Sequence, residues 1–251
     1  MRHQITGTTL QSLELVLEPG ETIYSQTHQM SWMSSNMKMN TNTGGGLLKG
    51  LMRGLAGGSV FVTQFAPEHK QGLVAFCPRF PGTIIARQLA AGETLVCRKE
   101  SFLCAESSVQ FEIFFRKQIG SGLFGGEGFI LQKLTGPGLV FLDLSGELVE
   151  KTLAPGEQLL VHAGHVAVQD ASVQFGINMI PGFKNILFGG NGLFVATLTG
   201  PGKVILQSMP IINLAEEIMR HASGGPSGAG DTETDAGKVL GGVIKGIFGN
   251  E

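Results

Sequence analysis

Short apolar runs separated by glycine-rich turns fill most of this chain. LVFLDL (139–144), VILQSM (204–209), FVATL (194–198), HVAVQ (165–169) and VQFEIFF (109–115) are rich in Val, Ile, Leu and Phe. Such side chains suit a pleated, half-buried surface. Several runs alternate: Val109, Phe111 and Ile113 stand against Gln110 and Glu112. One face is therefore expected in a core and the other in water. PGE, GPG and GGEG or GGNG sequences lie between the runs and supply turn residues. The pattern predicts an all-β protein.

The pattern also repeats. EPGE at 18–21 returns as AAGE at 90–93 and APGE at 154–157, each before a short β-type run. LAGGSVFVTQF (55–65) returns as LFGGEGFILQKL (123–134) and LFGGNGLFVATL (187–198). TGPGLVFLDL (135–144) matches TGPGKVILQS (199–208), with a degenerate counterpart at 66–76. Three markers in one order argue for a triplication. The expected architecture is three β-sandwich or double-stranded β-helix-like units around a pseudo-threefold. They form one domain over 1–210, with units of about 18–89, 90–153 and 154–210. A unit of that size buries little surface alone, so the three are expected to form one rigid body.

After residue 210 the pattern changes. Residues 211–222 read as a short amphipathic helix, with Ile211, Leu214, Ala215 and Ile218 on one face and Asn213 with Glu216 as a capping box. Residues 223–237 read as a flexible acidic linker. Residues 238–251 form a second short amphipathic, glycine-rich segment. It echoes 44–58, GGGLLKGLMRGLAGG. Leu47, Leu48, Leu51, Met52, Arg53 and Leu55 in the first, and Val239, Leu240, Val243, Ile244, Ile247 and Phe248 in the second, are the candidate interaction residues. Glycines four apart let helices approach closely, so packing or subunit contact is the first expectation. Apolar residues interleaved with Lys or Arg also suit a membrane interface, the second expectation.

Composition narrows the function classes. Charged residues make up only 15% of the 251, and the net charge is −2. A polyanion binder with a broad basic face is not expected. The odd count of 3 cysteines, without CxxC, suggests neither a disulfide framework nor a zinc site. A reducing cytosol is the expected compartment, with peripheral contact to an inner membrane as its variant. The start lacks a signal-peptide core, and no apolar run reaches the length of a membrane span.

Assembled in order, SSNMKMNTNTGGGLLKGLMRGLAGGSVFVTQF, VAFCPRFPGTIIARQL, GLFGGEG, APGEQLLVHAGHVAV and LFGGNGLFVATLTGPGKVILQS resemble the "altered inheritance of mitochondria" family over roughly 1–210. The resemblance implies an all-β fold similar to the trp RNA-binding attenuation protein, with internal duplication and homo-oligomers. No enzymatic activity or cofactor is established for that family. Its mitochondrial member is linked to inner-membrane organisation. Nothing carries over to the tail.

Motif chemistry adds little. Lys49 is followed by Gly50 and Lys238 by Val239, so neither is a Walker lysine. GGEGFIL and GGNGLFV lack the last glycine of a dinucleotide fingerprint. His162 and His165, three apart in an expected strand, should point to opposite faces and not share a metal. Glu21, Glu93 and Glu157 recur after the turn and are expected to be solvated rather than to form a carboxylate ring. Cys77, Cys97 and Cys104 are expected to be structural thiols. Ser59 lacks the glycine of a nucleophile elbow. Basic residues before the Gly-Gly turns (Lys49 and Arg53, Arg116 and Lys117, Lys184) form a repeated loop that could meet phosphates. No catalytic residue, metal or cofactor is assigned.

The expected function is a non-enzymatic homo-oligomeric scaffold or adaptor, with a trimer the expected assembly and the C-terminal tail a site for a protein partner. The alternative is a small-ligand- or RNA-binding module using inter-repeat pockets or the basic loops, although nucleic acid is not the favoured partner.

Overall fold

The computed structural model describes residues 1–26, 29–42, 62–117, 128–179, 194–211, 213, 214 and 218. It is all-β. The first stretch of the chain forms β1 (Arg2–Thr6), β2 (Ser12–Leu17), β3 (Ile23–Gln26), β4 (Met30–Met33), β5 (Met37–Asn42), β6 (Val62–Pro67) and β7 (Gly72–Phe76). The middle forms β8 (Gly82–Leu89), β9 (Thr94–Arg98), β10 (Phe102–Glu106), β11 (Gln110–Lys117), β12 (Phe129–Thr135) and β13 (Gly138–Ser145). The last forms β14 (Leu148–Leu153), β15 (Gln158–His162), β16 (Val166–Asp170), β17 (Gln174–Met179), β18 (Phe194–Thr199) and β19 (Gly202–Gln207). Single 3₁₀ turns, Lys99–Ser101 and Ala163–His165, separate β9 from β10 and β15 from β16. Of the expected helix over 211–222, only Ile211, Asn213, Leu214 and Ile218 are described. The linker and the tail lie outside the described residues.

The strands make four antiparallel sheets. The first runs β1-β2-β7-β4, the second β5-β6-β3-β10-β13-β8, the third β11-β12-β9-β16-β19-β14, and the fourth β15-β18-β17. The second and third sheets are joined at their middles by ladders between distant strands. Cys104 faces Ser25 and Ala105 faces Tyr24 in one; Val168 faces Cys97 and Gln169 faces Val96 in the other. No ladder joins the first sheet to the fourth among the described residues.

Each gap between successive sheets holds a core. Leu13, Leu15, Val74, Phe76, Ile23, Phe65 and Phe141 fill the first. Tyr24, Phe102, Val140, Leu142, Cys97, Phe111 and Leu134 fill the second. Val96, Phe129, Leu131, Val204, Val161, Ile177 and Leu198 fill the third. Adjacent residues Leu95 and Val96 therefore enter different cores, as do Val140 and Phe141. This changes the expectation of one wet face. The alternation of Val109 and Phe111 against exposed Gln110 holds on β11, an edge strand. On β10, FLCAE, four consecutive residues are buried, because a sheet covered on both sides needs apolar residues on both faces.

The turns are clamped in a recurrent way. Gly20, Gly92 and Gly156 have φ of 93°, 79° and 78°, the left-handed region that glycine enters without penalty. The glutamate after each glycine turns its carboxylate back onto the turn. Glu21 Oε2 accepts the Glu18 N–H at 2.8 Å, Glu93 Oε2 that of Ala90 at 2.8 Å, and Glu157 Oε2 that of Ala154 at 2.7 Å. In the GPG turns a Cβ at Gly136 would lie 2.3 Å from Ala90 O, and one at Gly200 2.3 Å from Ala154 O. The backbones touch there, so no side chain fits.

A buried polar side chain on β12 is left without a partner. Gln132 is fully buried, and neither its amide nitrogen nor its oxygen has a hydrogen-bond partner. Burying such groups unpaired costs about 1–3 kcal/mol. Gln132→Met, similar in volume, is expected to raise stability by about 1–2 kcal/mol, read as a higher urea midpoint at unchanged slope. Glu93→Ala is expected to lower it by about 1 kcal/mol in the same measurement, through loss of the turn clamp.

Candidate functional site

The twelve expected interaction residues, Leu47 to Leu55 and Val239 to Phe248, lie outside the described residues, as do Lys49, Arg53 and Lys184 of the basic loops. Lys117, the described end of one such loop, donates from Nζ to the Ile177 carbonyl at 2.6 Å. Lys133 pairs with Glu112 at 2.8 Å and Lys38 with Glu68 at 2.6 Å. These cations are engaged with the protein itself. None of the recurrent glutamates converges on another; each serves its own turn.

The most concentrated polar group gathers around the second 3₁₀ turn. Arg98 ends β9, a central strand, and is only 4% exposed. Nη1 donates to the Gly164 carbonyl at 3.1 Å, Nη2 meets Glu100 at 2.9 Å, and the group lies 5.2 Å from the centre of the Phe129 ring. Gly164 O also accepts from Gln207 Nε2 at 2.9 Å, while Gln207 Oε1 accepts the Ser145 N–H at 3.0 Å. His165 Nδ1 donates to the Gln207 carbonyl at 2.8 Å, and its Nε2 faces the Asn213 amide at 3.4 Å. His165 thus ties the turn to β19 and to the start of the C-terminal segment.

His162 and His165 meet edge to face at 5.8 Å. The expectation of opposite faces fails because the intervening residues turn in a 3₁₀ helix. Burial, then the charges of His165 and Arg98, hold the His162 pKa below the usual histidine value. The pair is not joined by a third ligand: among the described residues no three His, Cys, Asp or Glu side chains group as a metal set. Arg98 was not singled out by motif or spacing. Its signal was a cation directly after the apolar run TLVC.

The thiols of Cys97 and Cys104 are fully buried, and burial pushes both well above the ordinary range. A thiol so held is a poor nucleophile. Cys77 is partly exposed.

Asp143 interrupts the apolar run LVFLDL on β13. Its Oδ1 is buried without a hydrogen-bond partner, and burial raises the carboxyl from 3.8 to about 7, against the attraction of Arg79. A folded-state pKa above the unfolded one means that the folded protein holds more protons between those values, so stability falls as pH rises from about 4 through 7. Asp143→Asn is expected to gain roughly 1–3 kcal/mol over wild type at about pH 8 and little at about pH 5. Paired urea titrations at the two pH values check this; an equal difference at both would contradict the buried-acid reading.

Two strand edges that are unpaired among the described residues carry exposed apolar side chains. On β4, Trp32 is 44% exposed, with Nε1 donating to Glu14 at 3.1 Å; on β15, Leu160 is 68% exposed. No described helix is long and apolar enough to cross a membrane.

Comparison with known proteins places this geometry. An uncharacterised protein of Streptococcus pyogenes serotype M6 is 29% identical over 217 residues, covering 83% of this chain and 86% of that one. A crystal structure of a Streptococcus pyogenes protein superposes with a TM-score of 0.71 at 26% identity, covering 88% of this chain and 99% of the other. The family model described as mitochondrial biogenesis AIM24 matches residues 3–209, almost the whole described β body. The chain belongs to the AIM24 family.

Proposed function

We propose that this protein is a non-enzymatic scaffold that assembles with further copies of itself, its body built from three successive copies of one six-strand sandwich. In strand terms the copies are β2–β7, β8–β13 and β14–β19. This phasing begins each unit one strand before its PGE-type turn, earlier than the sequence markers alone suggest.

The observation that carries the reading is what the recurrent polar positions do. The turn glutamates cap backbone at all three places. A second set recurs at the end of the third strand of each unit. Ser34 Oγ accepts the Leu73 N–H at 2.9 Å, Glu106 Oε2 that of Leu139 at 2.7 Å, and Asp170 Oδ2 that of Lys203 at 2.7 Å. Serine, glutamate and aspartate differ in charge and reach, yet each satisfies the same backbone donor. Architecture recurs along the chain and chemistry does not, which supports a body whose use is to present surfaces. Its inner sheets are shared between successive units, and the two outer sheets end in edges that are unpaired among the described residues.

Mass measurement in solution tests this. The expected result is an integral multiple of the 26.5 kDa chain mass that persists on dilution into the low micromolar range. A single-chain mass throughout would overturn the scaffold reading.

A further inference from the structure

We propose that copies of this chain join head to tail, the β15 edge of one copy pairing with the β4 edge of the next to make one continuous sheet of seven strands, the six of an inner sheet plus β1. The proposal rests on the scaffold reading and names the surface and partner it needs.

The two inner sheets show what a complete sheet contains. Each has two halves: β5-β6-β3 followed by β10-β13-β8 in the second, and β11-β12-β9 followed by β16-β19-β14 in the third. Among the described residues the fourth sheet, β17-β18-β15, is a first half that ends at β15. The first sheet contains a second half, β4-β7-β2, that ends at β4, with β1 added on its far side. Within one copy no ladder among the described residues joins these halves. Between two copies they are complementary.

The register is fixed by analogy within the chain. The third strand of each unit carries the same irregularity against its sixth: between Met30 and Trp32, between Phe102 and Cys104, and between Val166 and Val168. Trp32 therefore occupies the place of Cys104 and Val168, and Met33 that of Ala105 and Gln169. On the other edge, Leu160 occupies the place of Tyr24 and Val96, because each lies three residues after its turn glutamate. The inner pairs Cys104–Ser25 and Val168–Cys97 map to Trp32 against Val161. Ala105–Tyr24 and Gln169–Val96 map to Met33 against Leu160.

Exposure singles out the same positions. Tyr24 and Val96 are 2% and 0% exposed, while Leu160 is 68% exposed. Cys104 and Val168 are 0% and 2% exposed, while Trp32 is 44% exposed. Tyr24 crosses its junction to stack on Phe102 of the next unit at 5.6 Å; Leu160, at the matching place, is exposed. Free edges are normally blunted by charge, proline or a bulge that turns them away. QLLVH and MSWM carry no Lys, Arg, Asp, Glu or Pro. In the joined state Trp32 adds to the third core of its neighbour beside Val161, and Leu160 lies over the neighbour's Met33. Such a contact uses different surfaces on the two copies and repeats until it closes.

The test uses the full chain with Leu160→Lys, Trp32→Lys and an equimolar mixture of the two. Both positions are exposed in a single copy, so each variant is expected to fold, checked by far-UV circular dichroism and a cooperative melt. Each alone is expected at single-chain mass, since each has lost one edge. The mixture is expected at twice that mass, because each variant brings the edge the other lacks. The single tryptophan of the sequence gives an independent readout: its emission should shift to the red in Leu160→Lys relative to wild type. A single-chain mass for wild type would overturn both this proposal and the scaffold reading. A wild-type oligomer whose mass survives both substitutions would overturn only the edge pairing. A dimer of either variant alone, or a mixture that stays at single-chain mass, would also overturn the head-to-tail arrangement.

Discussion

The constraint on which the structure depends is the ladder that carries a sheet across from one stretch of chain to the next, β3 to β10 and β9 to β16. Through it the second and third sheets each gain six strands and become the shared wall of two cores. A central strand in such a wall has little solvent face. This explains the apolar runs of β9 (TLVC) and β10 (FLCA), and why adjacent residues such as Leu95 and Val96 serve different cores. Side chains reinforce the crossing from one register position. Gln26 Nε2 donates to the Lys99 carbonyl at 3.0 Å across the first junction, and Arg98 Nη1 to the Gly164 carbonyl at 3.1 Å across the second. A buried guanidinium is costly unless paired. Here Glu100 and a backbone carbonyl meet it, and an aromatic face lies beside it.

Polar groups inside this body divide by whether they face backbone. Glu93 and Glu157 reach main-chain N–H groups of their own turns, and Glu106 and Asp170, at the ends of β10 and β16, reach those of the neighbouring strands β13 and β19. Gln132 and Asp143 lie mid-strand, where the neighbouring backbone groups are already committed to ladders. Their side chains have oxygen or nitrogen atoms with nothing to meet. The contrast is positional: at a strand end a polar side chain supports the fold, and at a strand centre it opposes it.

Much of the fold was legible in the sequence because its markers are local. The all-β class follows from apolar runs bounded by Gly-Pro and Gly-Glu turns, and the family from ordered motifs over 3–209. The alternation rule misread the central strands, since covering by a second sheet is a tertiary event that no window of one strand records. His162 and His165 were misplaced for a smaller reason. Two residues, Ala163 and Gly164, turn in a 3₁₀ helix inside what reads as one continuous strand, and the rings come together. Glu21, Glu93 and Glu157 are legible as a recurring set, but neither their capping role nor Arg98 is, because the partners are carbonyls and N–H groups, which carry no residue identity. Trp32 and Leu160 were present in the text of the sequence but unremarkable there. Only their exposure, set against the buried residues at matching places, distinguishes them.

The common irregularity on β4, β10 and β16 has a bearing on how such a chain can change over time. If the three strand sets are copies of one unit, as proposed, joins made in one register about one bulge are interchangeable parts. A further copy would then inherit an edge on each side that fits what is already there, and lengthening the body would need no new recognition surface. The connections between the strand sets, Cys77–Pro81 and Gly146–Glu147, are short, so each added set would meet its neighbour in sequence first.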